Sequence, residues 1–374
     1  MSKLYLYAAV ILVLTVAIPV VVYLWVYKAP TQPPKPMTLR IGHLVADELH
    51  QPGWCVAEEM GYIADEGFEA IHSEYMNGPN EMEHFAAGEL DVAYVGAAPF
   101  LTASAGGIDI IAVASSNTEG SSIVAAEEIT EVKDLNGTTV GSPGIGTIQD
   151  YMLTRVEEEY GIQITHFYAK VTDLIMYFQK GEIVGYIAWE PHPTRAVVEK
   201  IRGAHVLIIS HEILAGHQCC VLAVRGDWVR EAPHIVRRIV RWHMKAQKWV
   251  LEHPNETEEI IANYSGLSID LVKEAHPIVE HPYPPYVDLP SCKIMVEGLI
   301  ATGKIKEETV PSIDEFIGKS INNSFVEELD QELRPPTLVS LSWALPSPLE
   351  VEVPPSLCMA KSSLFLSREH EGCE

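Results

Sequence analysis

Between Thr38 and Ser210 short strand-like runs alternate with helical stretches, and this alternation limits the possible folds more than any other feature. Thr38–Gly42, Glu69–Tyr75, Leu90–Val95, Ile108–Ser115 and Ser122–Ala126 read as strands. Helices are predicted at Trp54–Gly61, at Asn80–Ala87 and after Gly96–Phe100, where Pro99 suits a first turn. A second series follows Ile129: strand 138–142, helix 147–160, strand Thr165–Ala169, helix Asp173–Lys180, strand Val184–Ala188, helix Thr194–Ile201 and strand Ala204–Ser210. Such alternation makes βαβ units with a largely parallel sheet. Beyond Gln218 the pattern changes to one strand, Cys219–Val224, and then helices at 234–251, Glu256–Tyr264, Ile269–Ala275 and Ser291–Thr302, with one or two more between Ser312 and Leu329. Helix 234–251 is expected to turn Val236, Ile239, Val240, Val250 and Leu251 inward. The late helices predict that the chain returns to its first body and covers it.

Gly141-Ser142-Pro143-Gly144-Ile145-Gly146-Thr147-Ile148-Gln149-Asp150 is the most pointed local stretch. A strand, a Gly-rich turn and a helix present free backbone N–H groups and the positive end of a helix dipole, which hold anions without a basic side chain. It is not a Walker A loop, because no Gly-Lys-Ser/Thr closes it, and its spacing differs from G-x-G-x-x-G. The plainer reading is a tight turn with Thr147 as N-cap.

The 374 residues suit about two domains, and a net charge of −25 argues against a nucleic-acid partner. Six cysteines are too sparse for a disulfide framework, and adjacent Cys219 and Cys220 read as buried thiols. Leu4–Tyr27 carries no charge over 24 residues, enough for a membrane-spanning helix, and Ala29–Pro36 reads as a stiff polyproline spacer. An uncleaved anchor is expected, with a cleaved signal peptide as the alternative. Arg334–Glu374, broken by prolines, reads as a tail without a core.

Ile41-Gly42-His43, Gly88–Pro99, Asp134–Gly141, Gly185–Pro191, His253–Glu256 and Tyr264–Leu267 recur in an order and spacing that carry a resemblance. From about Leu39 to Leu333 the chain resembles substrate-binding proteins of ABC importers, most of all the nitrate/sulfonate/taurine group. The resemblance implies a two-lobed α/β periplasmic-binding-protein-like fold (type II) with two crossover strands, here joined to the N-terminal transmembrane helix. The divisions are then 1–36 anchor and spacer, 37–126 first lobe, 127–218 second lobe, 219–333 return to the first lobe, and 334–374 tail. The implied function is capture of a small anion of the sulfonate, taurine, nitrate or bicarbonate class outside the membrane, for delivery to an ABC permease and its ATPase. A heterocyclic vitamin precursor as solute, or a sensor or enzyme on the same scaffold, is the alternative.

By that resemblance the cleft walls are the loops after strands. The expected ligand contacts are His43, Asn77, Gly96, Ala97, Ala98 and Asn117 from the first lobe and Gly144, Gly146, Thr147, Gln149, Trp189 and Glu190 from the second. Trp189 also reads as a packed hinge aromatic, Glu190 as a structural hinge residue, and His43 as part of a capped loop. No zinc-type spacing joins His50, His211, His217, His276 or His281 to cysteines, and neither H-E-x-x-H nor G-x-S-x-G occurs. No metal, cofactor or catalytic residue is expected. Cys219-Cys220 does not extend into the Cys-rich motif of the self-consuming thiamin-pyrimidine synthase, an enzyme of related fold.

Overall fold

The computed structural model describes residues 36–333. The predicted anchor at 4–27 and tail at 334–374 lie outside these residues. No described helix is long and apolar enough to cross a membrane.

Two mixed sheets form two lobes. The first has the order β11-β4-β10-β3-β1-β2, built from β1 (Met37–Leu44), β2 (Phe68–Tyr75), β3 (Val92–Gly96), β4 (Ile110–Glu119), β10 (Gln218–Arg225) and β11 (Val279–Glu280). The second has the order β7-β6-β8-β5-β9, from β5 (Ser121–Ala125), β6 (Thr139–Ser142), β7 (Thr165–Tyr168), β8 (Gly185–Trp189) and β9 (His205–Ile209). β1 runs parallel to β2 and β3, and β6 runs parallel to β7 and β8. β10 and β5 run antiparallel to their neighbours. β3, β5, β8 and nearly all of β10 are buried, as strands covered on both faces must be.

The chain passes between sheets at Gly120, whose φ of +91° suits a residue without Cβ. Ser121–Ala125 therefore lies in the second sheet, where the sequence reading kept it with the first body. It passes back between Ile209 and Gln218. Glu119 clasps the two crossings: its carboxylate accepts from Ser210 Oγ at 2.7 Å, His211 Nδ1 at 3.0 Å and the Gly216 N–H at 2.5 Å, and lies 3.2 Å from His217 Nδ1. Burial opposes its charge, but these donors outweigh burial and hold the carboxyl at about 2.

The late helices return to the first sheet as expected. Pro233–Glu252 packs on Pro52–Glu59, burying Val236, Ile239, Val240, Trp242 and Val250. Leu251, expected inward, is 51% exposed, because the helix turns it past the edge of the apolar stripe. The region 312–329 holds two helices, Ile313–Ser320 and Ser324–Leu333.

Candidate functional site

The carboxyl ends of β1, β3 and β8 meet between the lobes, and the chain turns into a helix after β3 and again after β6. Leu44, Gly96 and Trp189, the last residues of β1, β3 and β8, border one small cavity with Thr147, Gln149 and Pro99. This is where open α/β sheets place ligands. The cavity measures about 20 Å³, room for roughly one water. Hollows of about 460 and 580 Å³ are shallow surface features away from these strand ends, whereas a third of about 400 Å³ lies beside the cavity, bordered by Pro99, Gly146 and Lys304.

The helix starts on the two sides differ. Helix Ala97–Ala105 begins at Gly96, which has no side chain to cap it, and Pro99 lacks an N–H. The Ala97 and Ala98 amides thus carry no side-chain cap beside the cavity. Helix Ile148–Tyr160 begins at Thr147, whose Oγ1 accepts from the Asp150 N–H at 3.2 Å and donates to the Gly144 carbonyl at 2.8 Å. The Gly146 N–H donates to Asp150 Oδ2 at 2.8 Å. Asp150 also accepts from Tyr168 and bonds His166 at 3.0 Å, and pairs with Lys304 Nζ at 3.2 Å. Burial alone would raise the Asp150 carboxyl, yet the bonds from His166, Gly146 and Lys304 hold it at about 2. His166 is raised in turn, first by its bond to Asp150. Two N–H groups of the predicted anion corner, those of Gly146 and Asp150, are therefore taken by the chain's own side chains.

The expected contacts divide accordingly. Gly96, Thr147, Gln149 and Trp189 come together at the cavity. Trp189 is 2% exposed, and its Nε1–H has no hydrogen-bond partner among the described residues. Gln149 Nε2 donates to Ser121 Oγ at 3.0 Å. Ala97 and Ala98 lie between the cavity-lining Gly96 and Pro99, and their methyls lie in the core.

The remaining expected contacts stand elsewhere. His43 stacks on Trp54, ring centroids 4.1 Å apart, and burial with His72 nearby pushes it down to about 3. Asn77 caps its own helix through the Asn80 N–H and bridges the lobes through the Pro143 carbonyl at 3.2 Å, so both ends of its amide are used. A Cβ at Gly144 would strike Asn77, and Gly146 lies near Pro79. Glu190 precedes a cis Pro191 and is fully buried, accepting from Ser122 Oγ at 3.1 Å and the Thr194 N–H at 3.1 Å. Burial pushes its carboxyl to about 7 despite those bonds. Asn117 accepts from the Cys220 N–H at 3.1 Å and sits 3.1 Å from His50 Nδ1.

Four cavity residues with polar or thiol side chains, Asp47, His50, Cys219 and Cys220, were not among the expected ligand contacts. The loop after β1 was expected to wall the cleft, but the side chains that do so were not singled out. Asp47 is 1% exposed with Oδ1 unpartnered among the described residues, and burial raises its carboxyl well above the usual range. No Lys or Arg lines the cavity.

The NMT1-like family matches residues 32–265. The chain belongs to that family. A Bacillus subtilis (strain 168) protein that carries the name of an aliphatic sulfonates-binding protein is 24% identical over 58% of this chain and 68% of its own length. The NMT1-like chain also resembles the periplasmic nitrate-binding protein NrtA from Synechocystis PCC 6803, with a TM-score of 0.71 and 13% identity over 81% of this chain and 90% of the other. It resembles the alkanesulfonate-binding protein SsuA from Xanthomonas axonopodis pv. citri bound to MOPS, with a TM-score of 0.64 and 16% identity over 78% and 100% of the two chains. At such identities the structural likenesses establish the two-lobed fold of this NMT1-like protein and no more.

Proposed function

We propose that the chain is the solute-binding component of an ABC-type importer, and that it captures a small anion of the sulfonate, taurine, nitrate or bicarbonate class between its lobes. One observation carries the reading: a small interlobe cavity bordered by an uncapped helix start and by the unpartnered indole N–H of Trp189. Donors of this kind hold an oxyanion without a basic side chain. In this reading the Ala97 and Ala98 amides, Trp189 Nε1 and the second amide hydrogen of Gln149 face the solute. The names of the relatives support the same class of solute.

A cavity of about 20 Å³ is smaller than these anions, so the lobes part to admit one. The seam contacts of Asn77 with Pro143 and of Lys304 with Asp150 break as they do so. Closure presents both lobes to a permease, whose ATPase drives transfer. Residues 4–27 would hold the body on the extracytoplasmic face, with Ala29–Pro36 as spacer. No catalytic step is part of this reading.

A thermal-shift screen of the full chain against nitrate, bicarbonate, taurine and short alkanesulfonates tests it. A ligand at 100 times its Kd stabilises by about 2.7 kcal/mol. A shift with one of these anions supports the reading. A shift with a neutral heterocycle alone would overturn the anion class.

A further inference from the structure

His50, Cys219 and Cys220 lie side by side at the wall of the interlobe cavity. Neighbouring residues of a regular strand point to opposite faces. Here β10 is irregular, with register shifts on both sides of Cys220, and the two sulfurs stand 3.9 Å apart. That bulge places both thiols on one side of the strand. The third group arrives from far away in sequence: His50 Nδ1 is 3.4 Å from Cys219 Sγ. One donor atom from each of the three residues lies within 4.8 Å of the others. All three residues are buried, and the thiols are free.

We propose that His50, Cys219 and Cys220 form a three-ligand site for a thiophilic cation of the zinc class, with its fourth position open to the cavity. Bond lengths near 2.3 Å to sulfur and 2.0–2.1 Å to nitrogen give tetrahedral edges of about 3.8 Å between sulfurs and about 3.6 Å between sulfur and nitrogen. The observed 3.9 and 3.4 Å fit those edges with little movement. Two thiolates and a neutral imidazole neutralise a divalent ion, which removes most of the cost of burying its charge. Sulfur donors favour zinc-class ions over magnesium or calcium.

The surroundings suit such a site. Asn117 Nδ2, 3.1 Å from His50 Nδ1, also donates to the Thr118 and Glu119 carbonyls at 3.3 and 3.2 Å. The metal displaces only the first of these bonds, and the amide stays satisfied. Gln51 Nε2 lies 3.8 Å from Cys220 Sγ, placed to donate to the thiolate. Asp47, with its unpartnered Oδ1, borders the same cavity. Three protein ligands with an open fourth position is the arrangement of a zinc site that accepts a further ligand. Binding is balanced by loss of two thiol protons to solvent, one from each cysteine, while His50 gives its lone pair.

The test is titration of the reduced full chain with Co²⁺ as the probe, followed by Zn²⁺ in competition; no solute is needed, so it is independent of the importer reading. Expected are a thiolate-to-cobalt charge-transfer band saturating at one equivalent, its loss on adding Zn²⁺, and about two protons released per metal. The double variant Cys219→Ser/Cys220→Ser, with an unchanged circular-dichroism spectrum, should lose the band. His50→Gln should weaken binding by more than about 100-fold, beyond the usual loss from outer-shell changes. Cys292→Ser, which removes a buried thiol elsewhere, should leave the titration unchanged. Absence of the band in the parent chain, or its survival in the double variant, would overturn the assignment.

Discussion

The two helix starts that face the interlobe seam, at Ala97 and at Ile148, are built from similar parts and are left in opposite states. Each follows a buried strand and a glycine, and each would serve an anion in isolation. At Ala97 no side chain caps the first turn, because glycine and proline have nothing to offer. At Ile148 the side chains of Asp150 and Thr147 take the Gly146 and Asp150 N–H groups, and Asp150 ties His166, Tyr168 and Lys304 into the same knot. A Gly-rich strand-to-helix turn therefore announces a donor array, and only the residues one turn further on decide whether a ligand or the chain itself uses it. In the proposed reading the first start serves the solute and the second helps hold the lobes together.

The largest effect should come from emptying the occupied corner. Asp150→Ala leaves Lys304, His166 and the Gly146 N–H without their partner, and the expected loss is about 3 kcal/mol in urea unfolding. A loss below about 0.5 kcal/mol, the level of an ordinary surface change, would break the contrast between the two starts. Acid provides the next test. The Asp150 carboxyl stands at about 2 in the folded chain against an ordinary value of 3.8. Its contribution is thus complete above pH 4 and lost as the pH falls towards 2, about 2 kcal/mol in all. Asp150→Asn should lack that part of the acid transition, and identical profiles for the two proteins would remove the carboxylate from the account.

The solute side is sharpened by Trp189→Phe, which keeps an aromatic ring and deletes the N–H. A hydrogen bond to a charged group is worth about 1.5 kcal/mol or more, so anion affinity should fall about 10-fold. Thr147→Ala should cost about 1 kcal/mol of stability through loss of the N-cap. Anion binding abolished by that change, with stability intact, would return the second corner to the ligand.

Much of this fold was legible because strand and helix periods differ and most strand-to-helix turns carry glycine or proline. The crossings between lobes were expected near Ser122–Ala126 and Gln218–Val224, within a few residues of Gly120 and the stretch after Ile209. Occupancy was harder to read. Thr147-Ile148-Gln149-Asp150 has the capping-box pattern of Ser/Thr followed three residues later by an acid, and that signal was available. Asn77 looked like a polar loop residue facing solute, whereas its amide spans the lobes, a contact set by closure rather than by local sequence. Glu190 was placed at the right strand end, but its two bonds come from Ser122 and from a helix start four residues on. The meeting of His50 with Cys219 was beyond reach, since 169 residues separate them and the bulge in β10 has no marker in the sequence.

The central claim is that an anion is held in the interlobe cleft beside the uncapped helix start and Trp189. Isothermal titration of the full chain and of Trp189→Phe with nitrate, bicarbonate and a short alkanesulfonate tests it most directly. Expected is one saturable site for at least one of these anions, weakened about 10-fold in the variant. No binding of any of the three, or equal affinity in both proteins, would contradict it.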